Sequence, residues 1–228
     1  MGMYSGTAEA EIRVSAMNTE FWQPALAIQA DDLASGFCRL RHKRDICAAA
    51  NEFAIPWEIL GAIVLLETSR RPSYVQTIER LFLAVNLAFQ KACPVPLVDL
   101  SVGPCQVKIS TAARIWGIPF VKNGKLLAFP RWIASDAGRH TRQKVASLAE
   151  PKASVRVAAH YISQLFEEYC TSRGLPKTWE VTKSDGFLLY LGWKYNGMDW
   201  GWNWLESANL LPYALVLREV VRRLSEPL

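Results

Sequence analysis

Between Ile55 and Ser69 the apolar positions are Ile59, Leu60, Ile63, Val64 and Leu66, the recurrence of a helix with a wide buried face. Pro56 suits its first turn, where a missing N–H costs nothing. Arg70-Arg71-Pro72 ends it, because the residue before proline avoids helix. Upstream, residues 1–20 are small and polar and predict loose or partly extended chain. Asp31-Asp32 can cap a helix running to about Asn51, with Leu33, Phe37, Leu40 and Ile46 inward. Downstream, residues 74–92 form a second amphipathic segment, carrying Ile78, Leu81, Phe82, Val85, Leu87 and Phe89. Residues 93–106 read as a loop, followed by a helix to Trp116 capped by Ser110 or Thr111. Asn123-Gly124 between apolar flanks predicts a hairpin with a type I′ turn. Residues 135–147 are polar and read as a loop or short helix. A helix with Val155, Ala158, Ala159, Ile162, Leu165, Phe166 and Tyr169 inward then ends at Gly174. Two more follow, over about 183–194 and 211–224. The fold class expected is mainly α, with at most a small β-hairpin.

Composition changes this picture little. With 228 residues, 50% hydrophobic and 21% charged, the chain is an ordinary globular one with enough length for a real core. A net charge of +5 and a pI near 9.0 suit an anionic polymer such as a cell wall, and a neutral partner roughly as well. No Lys/Arg run of nucleic-acid type occurs, which argues against a nucleic-acid partner. The five cysteines form no CxxC pair, and reduced thiols are expected. His42, His140 and His160 lack ligand spacing, so neither metal nor cofactor is expected. Residues 1–30 hold no apolar core of a Sec signal peptide, and no run reaches the length of a membrane span.

Three stretches carry candidate chemistry. Glu67 is a lone carboxylate at the far end of the oily helix. A carboxyl partly wrapped in apolar side chains resists ionisation, which keeps a proton donor near neutral pH. The plainer alternative is a solvated glutamate of the last turn. In Ser101-Val-Gly103-Pro-Cys-Gln106, Gly103 lets backbone pass close to a ligand, and Gln106 offers both donor and acceptor to a sugar hydroxyl or N-acetyl group. A loop-stabilising amide would look the same. Tyr195-Asn196-Gly197 offers a phenol and an amide, or simply a helix C-cap. The tryptophans at 193, 200, 202 and 204 would stack on sugar rings or pack within the protein.

The order of these stretches resembles the lytic transglycosylases of the goose-type-lysozyme-like superfamily. That pattern is a helix ending in a catalytic Glu and Ser, then Ser-x-Gly-Leu-Met-Gln with Thr-Ala soon after, then Ala-Tyr-Asn. Here it reads Glu67-Thr68, then Ser101-Val-Gly103-Pro-Cys-Gln106 with Thr111-Ala112, then Lys194-Tyr195-Asn196. Leu148-Ala-Glu-Pro151, Val155 and Tyr161-Ile162 resemble a further stretch of the pattern, and Tyr213 a late tyrosine. The resemblance covers roughly residues 50–220. Departures are Thr68 for serine, Pro104-Cys105 for Leu-Met, Ser154 for Asn, and a Glu67-to-Gly103 spacing of 36 residues that is longer than usual.

The resemblance implies a lysozyme-like α+β fold, a helical bundle around a substrate cleft. Residues 1–50 would be an N-terminal extension with a leading helix. Residues 51–228 would be the catalytic domain, with insertions near 74–92 and 118–147. It implies cleavage of the β-1,4 bond between N-acetylmuramic acid and N-acetylglucosamine in peptidoglycan. Glu67 would be the single acid and base, and a 1,6-anhydro sugar the product. Thr68, Ser69, Ser101, Gly103, Gln106, Tyr195 and Asn196 would bind substrate. In the alternative, a lysozyme-type hydrolase, Asp99 would be a second carboxylate positioning water. A non-catalytic wall-binding or scaffold relative is the third reading. Without a Sec signal, export or injection from the cytoplasm to the cell wall is expected. Secretion-system or phage structural components, or an immunity or inhibitor protein, would then be the protein partners.

Overall fold

Ile59, Leu60, Ala62, Ile63, Val64 and Leu66 expose no surface at all. They belong to a helix over Trp57–Ser69 (α3) that is apolar on nearly every side, and such a helix belongs in a core. Each fully buried large aliphatic side chain contributes roughly 1.5–3 kcal/mol. The computed structural model containing this helix describes residues 29–37, 42–69, 73–92, 96–195 and 211–226. The protein is mainly helical with short antiparallel strands, as the sequence predicts. It forms two compact units, one of residues 38–164 and one of residues 1–37 together with 165–228.

In the 38–164 unit, Lys43–Glu52 (α2) packs beside α3 through Ile46, Ala49 and Ala50. The expected helix from Asp31 to Asn51 is instead two described helical stretches, residues 29–36 (α1) and α2, with residues 38–41 and Leu40 outside the described residues. Phe37 is buried in one unit and Ile46 in the other. Asp31 and Asp32 lie exposed inside α1 rather than capping it.

Ser73–Ala92 (α4) is the helix expected near 74–92, but its inward face differs from the expected one. Leu83 and Leu87 are buried, whereas Ile78, Leu81, Phe82, Val85 and Phe89 are exposed. The helix rests on Ser101–Val102 (β2), on a 3-10 turn at Arg131–Ala134 and on Arg139–Ser147 (α6), and those neighbours cover the Leu83 side only.

The strands are Leu97–Val98 (β1), β2, Val107–Lys108 (β3), Val121–Asn123 (β4) and Leu126–Ala128 (β5). They pair antiparallel in the order β1-β5-β4 and as β2-β3. The predicted hairpin is β4-β5, with its turn one residue later than expected. Asn123 pairs with Leu126, so Gly124 and Lys125 are the central residues. Only Gly124 has positive φ, at 57°, which is the type II′ arrangement. Residues 97–108 form two ribbon segments where the sequence predicts a loop. The polar stretch 135–147 is largely α6, because Arg142 is buried and donates to the carbonyls of Ile133 and Ser135.

Pro151–Arg173 (α7) passes from the 38–164 unit into the other at residue 165. Gly174, at φ 65°, ends it in the left-handed conformation, and Leu175 N donates to Cys170 O at 2.9 Å. The second unit continues with Trp179–Thr182 (α8), Asp185–Tyr195 (α9) and Leu211–Ser225 (α10). Here α9 and α10 cross closely at Gly192, where an added Cβ would lie 2.6 Å from Ala214 Cα. Phe187 packs edge-on against Phe166 and Tyr169. Among the described residues no helix is long and apolar enough to cross a membrane.

Candidate active site

Glu67 lies in the last turn of α3, two residues from its end, and is half-buried. Leu65 and Leu66 before it are buried, and Thr68 after it is half-buried. The neighbouring hydroxyls turn back onto their own helix. Thr68 Oγ1 donates to Val64 O at 2.6 Å, and Ser69 Oγ to Leu66 O at 3.0 Å. Their protons are therefore engaged, and what remains to a ligand is the acceptor side of each oxygen.

The Ser101–Gln106 loop joins β2 to β3, with Ser101 paired opposite Lys108. Gly103 has φ 78°, and a Cβ there would collide with the Ser154 side chain and lie 2.6 Å from Leu148 O. Packing against α7 and the turn before it therefore requires glycine here on its own. Ser154, fully enclosed, donates to Val102 O at 3.4 Å. So the Leu148–Pro151 and Ser154 stretch and the glycine loop pack directly on each other.

Cys105 follows inside this loop and is fully buried. Burial pushes its thiol far above the ordinary range, and the negative charge of Glu67 pushes it further, partly offset by a hydrogen bond with Ser154. Glu67 is thus within electrostatic reach of Cys105. Its charge reaches into the second of the three stretches singled out in the sequence.

Gln106 is unusual among the described residues. It is a non-glycine residue at φ 49°, and only 8% of its surface is exposed. Its Nε2 donates to Gly103 O at 2.9 Å and reaches Glu79 Oε2, on α4, at 3.4 Å. Its Oε1 is buried and has no hydrogen-bond partner.

Asp99 is only 4% exposed at its side chain and is fully engaged. Its carboxylate accepts from Ser110 N at 2.9 Å and Ser110 Oγ at 2.7 Å, and pairs with Lys122 Nζ at 3.3 Å. It caps the start of Ile109–Ile115 (α5) from outside, where the sequence suggests Ser110 or Thr111 as the cap. Its partner Lys122 belongs to the β4-β5 hairpin, so Asp99 ties that hairpin to α5.

Compared with family models, curated proteins and solved structures, the chain matches none. Tyr195 closes α9 in the other compact unit and is half-buried, while Asn196 lies outside the described residues. Trp193 packs in that same unit beside Tyr190, with Lys194 over its ring at 5.2 Å. The tryptophans at 200, 202 and 204 lie outside the described residues. Among the described residues no group of His, Cys, Asp and Glu is arranged to hold a metal ion. Sequence reading missed Glu79. Its only signal was its place on an amphipathic helix, and that did not reveal which side faced the glycine loop.

Proposed function

We propose that the chain is a peptidoglycan lytic transglycosylase with Glu67 as its single acid and base. One observation carries this reading: the only carboxylate at the end of the apolar helix α3 acts electrostatically on the loop of Gly103 and Gln106. A proton donor within electrostatic reach of a loop that carries a buried amide suits cleavage of a glycosidic bond next to an N-acetyl group. Glu67 would protonate the glycosidic oxygen between N-acetylmuramic acid and N-acetylglucosamine. As carboxylate it would then accept the proton of the muramoyl C6 hydroxyl as that oxygen attacks C1. The C1–O bond to the leaving sugar breaks, a 1,6-anhydro ring forms, and no water is consumed.

The engagement of Asp99 favours this reading over a hydrolase. A carboxylate holding Ser110 and Lys122 would have to abandon a helix cap to position water. The net charge of +5 is compatible with an anionic wall polymer. Action would follow export or injection into the cell-wall compartment, with any delivery or immunity partner bound on the way.

Glu67→Gln keeps the shape and removes the acid. It should lower release of soluble fragments from purified peptidoglycan by roughly 10²–10⁴-fold. Its circular dichroism and melting temperature should stay near those of the unmodified protein. Full activity in that variant would refute the assignment.

A further inference from the structure

Gln106 carries an acceptor with nothing to accept. An enclosed, unsatisfied amide oxygen is destabilising, and the residue's left-handed backbone adds to that cost. Its amide orientation is nonetheless decided. Gly103 O and the Glu79 carboxylate are both acceptors, so the NH2 group must face them and Oε1 must face away. With both N–H bonds directed at the protein, the remaining capacity of Gln106 is that of an acceptor alone.

We propose that Glu79, on α4, is a positioning residue that sets Gln106 as an acceptor-only group for an N–H or hydroxyl donor of the substrate. The proposal rests on the glycan-cleaving reading of the site. The fitting donor is the acetamido N–H of an N-acetylated sugar, because a rigid acceptor favours a rigid planar donor. Oε1 is covered in the unliganded arrangement, so the donor reaches it as the cover over the loop moves aside, while Nε2 stays on Gly103 O and Glu79. Glu79 is half-buried on α4 and fixes the amide from that side. The inserted helix thereby contributes to specificity without touching the reacting atoms. Its exposed apolar stripe has no part in this, and nothing in the structure shows what covers it.

The test uses the full chain, the N-acetylglucosamine tetramer as probe, and its de-N-acetylated counterpart. Binding is followed by calorimetry, and cleavage by release from peptidoglycan. The unmodified protein should prefer the acetylated tetramer about tenfold or more, since that contact replaces an unsatisfied acceptor. Glu79→Ala should lose most of that preference and raise KM with kcat little changed. Glu79→Gln still offers an acceptor to Nε2 and should restore both to within about twofold. Glu79→Ala with unchanged preference and KM would overturn the proposal. So would Glu79→Gln failing as badly as Glu79→Ala, since an acceptor alone would then not suffice. If the unmodified protein binds the tetramer but cleaves nothing, the catalytic reading fails while the binding series still decides the role of Glu79. If it neither binds nor cleaves, both are overturned.

Discussion

Cys105 shows how closely the acid and the loop are coupled. It is fully buried, and both its burial and the Glu67 charge hold its thiol well above the ordinary 9.0. The folded chain therefore keeps a proton that the unfolded chain releases once pH exceeds that value. Below pH 9.0 the thiol adds no pH dependence, and above it stability falls by up to about 1.4 kcal/mol per pH unit. Melting temperatures at about pH 8 and about pH 10 should therefore fall further for the unmodified protein than for Cys105→Ala. Equal falls would contradict this placement of the thiol. A thiol so held is also a poor nucleophile, which argues against a redox role for Cys105. Glu67 itself was legible because a single carboxylate interrupts an apolar run. Asp99 was legible only as a loop carboxylate. Its three partners come from α5 and the hairpin, contacts between distant segments that no local pattern carries.

Among the elements, α3 could be read in full because burial on nearly every side leaves an unbroken apolar record. The extent of α4 was equally plain, but not its orientation. Its apolar residues occupy more than one face, so periodicity alone could not choose between the Leu83 side and the Phe82 side. The two sides should respond differently to mutation. Leu83→Ala, at 1% exposure, should cost about 2–5 kcal/mol. Leu81→Ala, at 64% exposure, should stay within about 0.5 kcal/mol. Urea unfolding midpoints would test this, and equal losses would mean that the Leu81 side is packed after all. The hairpin shows a finer limit. Asn-Gly correctly marked a turn, but pairing of Asn123 with Leu126 moved the centre to Gly124-Lys125, because glycine alone supplies the positive φ. For α6 the sequence left loop and short helix open, because the helix is anchored by the buried Arg142, a residue type that normally marks a surface.

Across the whole molecule, two compact units share α7, and the candidate residues are divided between them. Glu67, the Gly103–Gln106 loop, Asp99 and Glu79 belong to the 38–164 unit. Tyr195 belongs to the other. The mainly helical class followed from apolar periodicity, since each long helix buries a stripe that the sequence records. The association of α3 with the glycine loop did not follow from periodicity. It was suggested only by the order of motifs, and the residues that shape the loop, Leu148 and Ser154, lie far from it along the chain.

The proposed reaction uses one acid and no water, and the products of peptidoglycan digestion test that most directly. Purified sacculi should be digested with the full chain, and the soluble muropeptides weighed by mass spectrometry without prior reduction. Lyase chemistry predicts muropeptides ending in 1,6-anhydro-N-acetylmuramic acid, lighter by one water than the hydrolysed form. Muropeptides with ordinary reducing ends would contradict the single-glutamate lyase and bring a second carboxylate back into the mechanism.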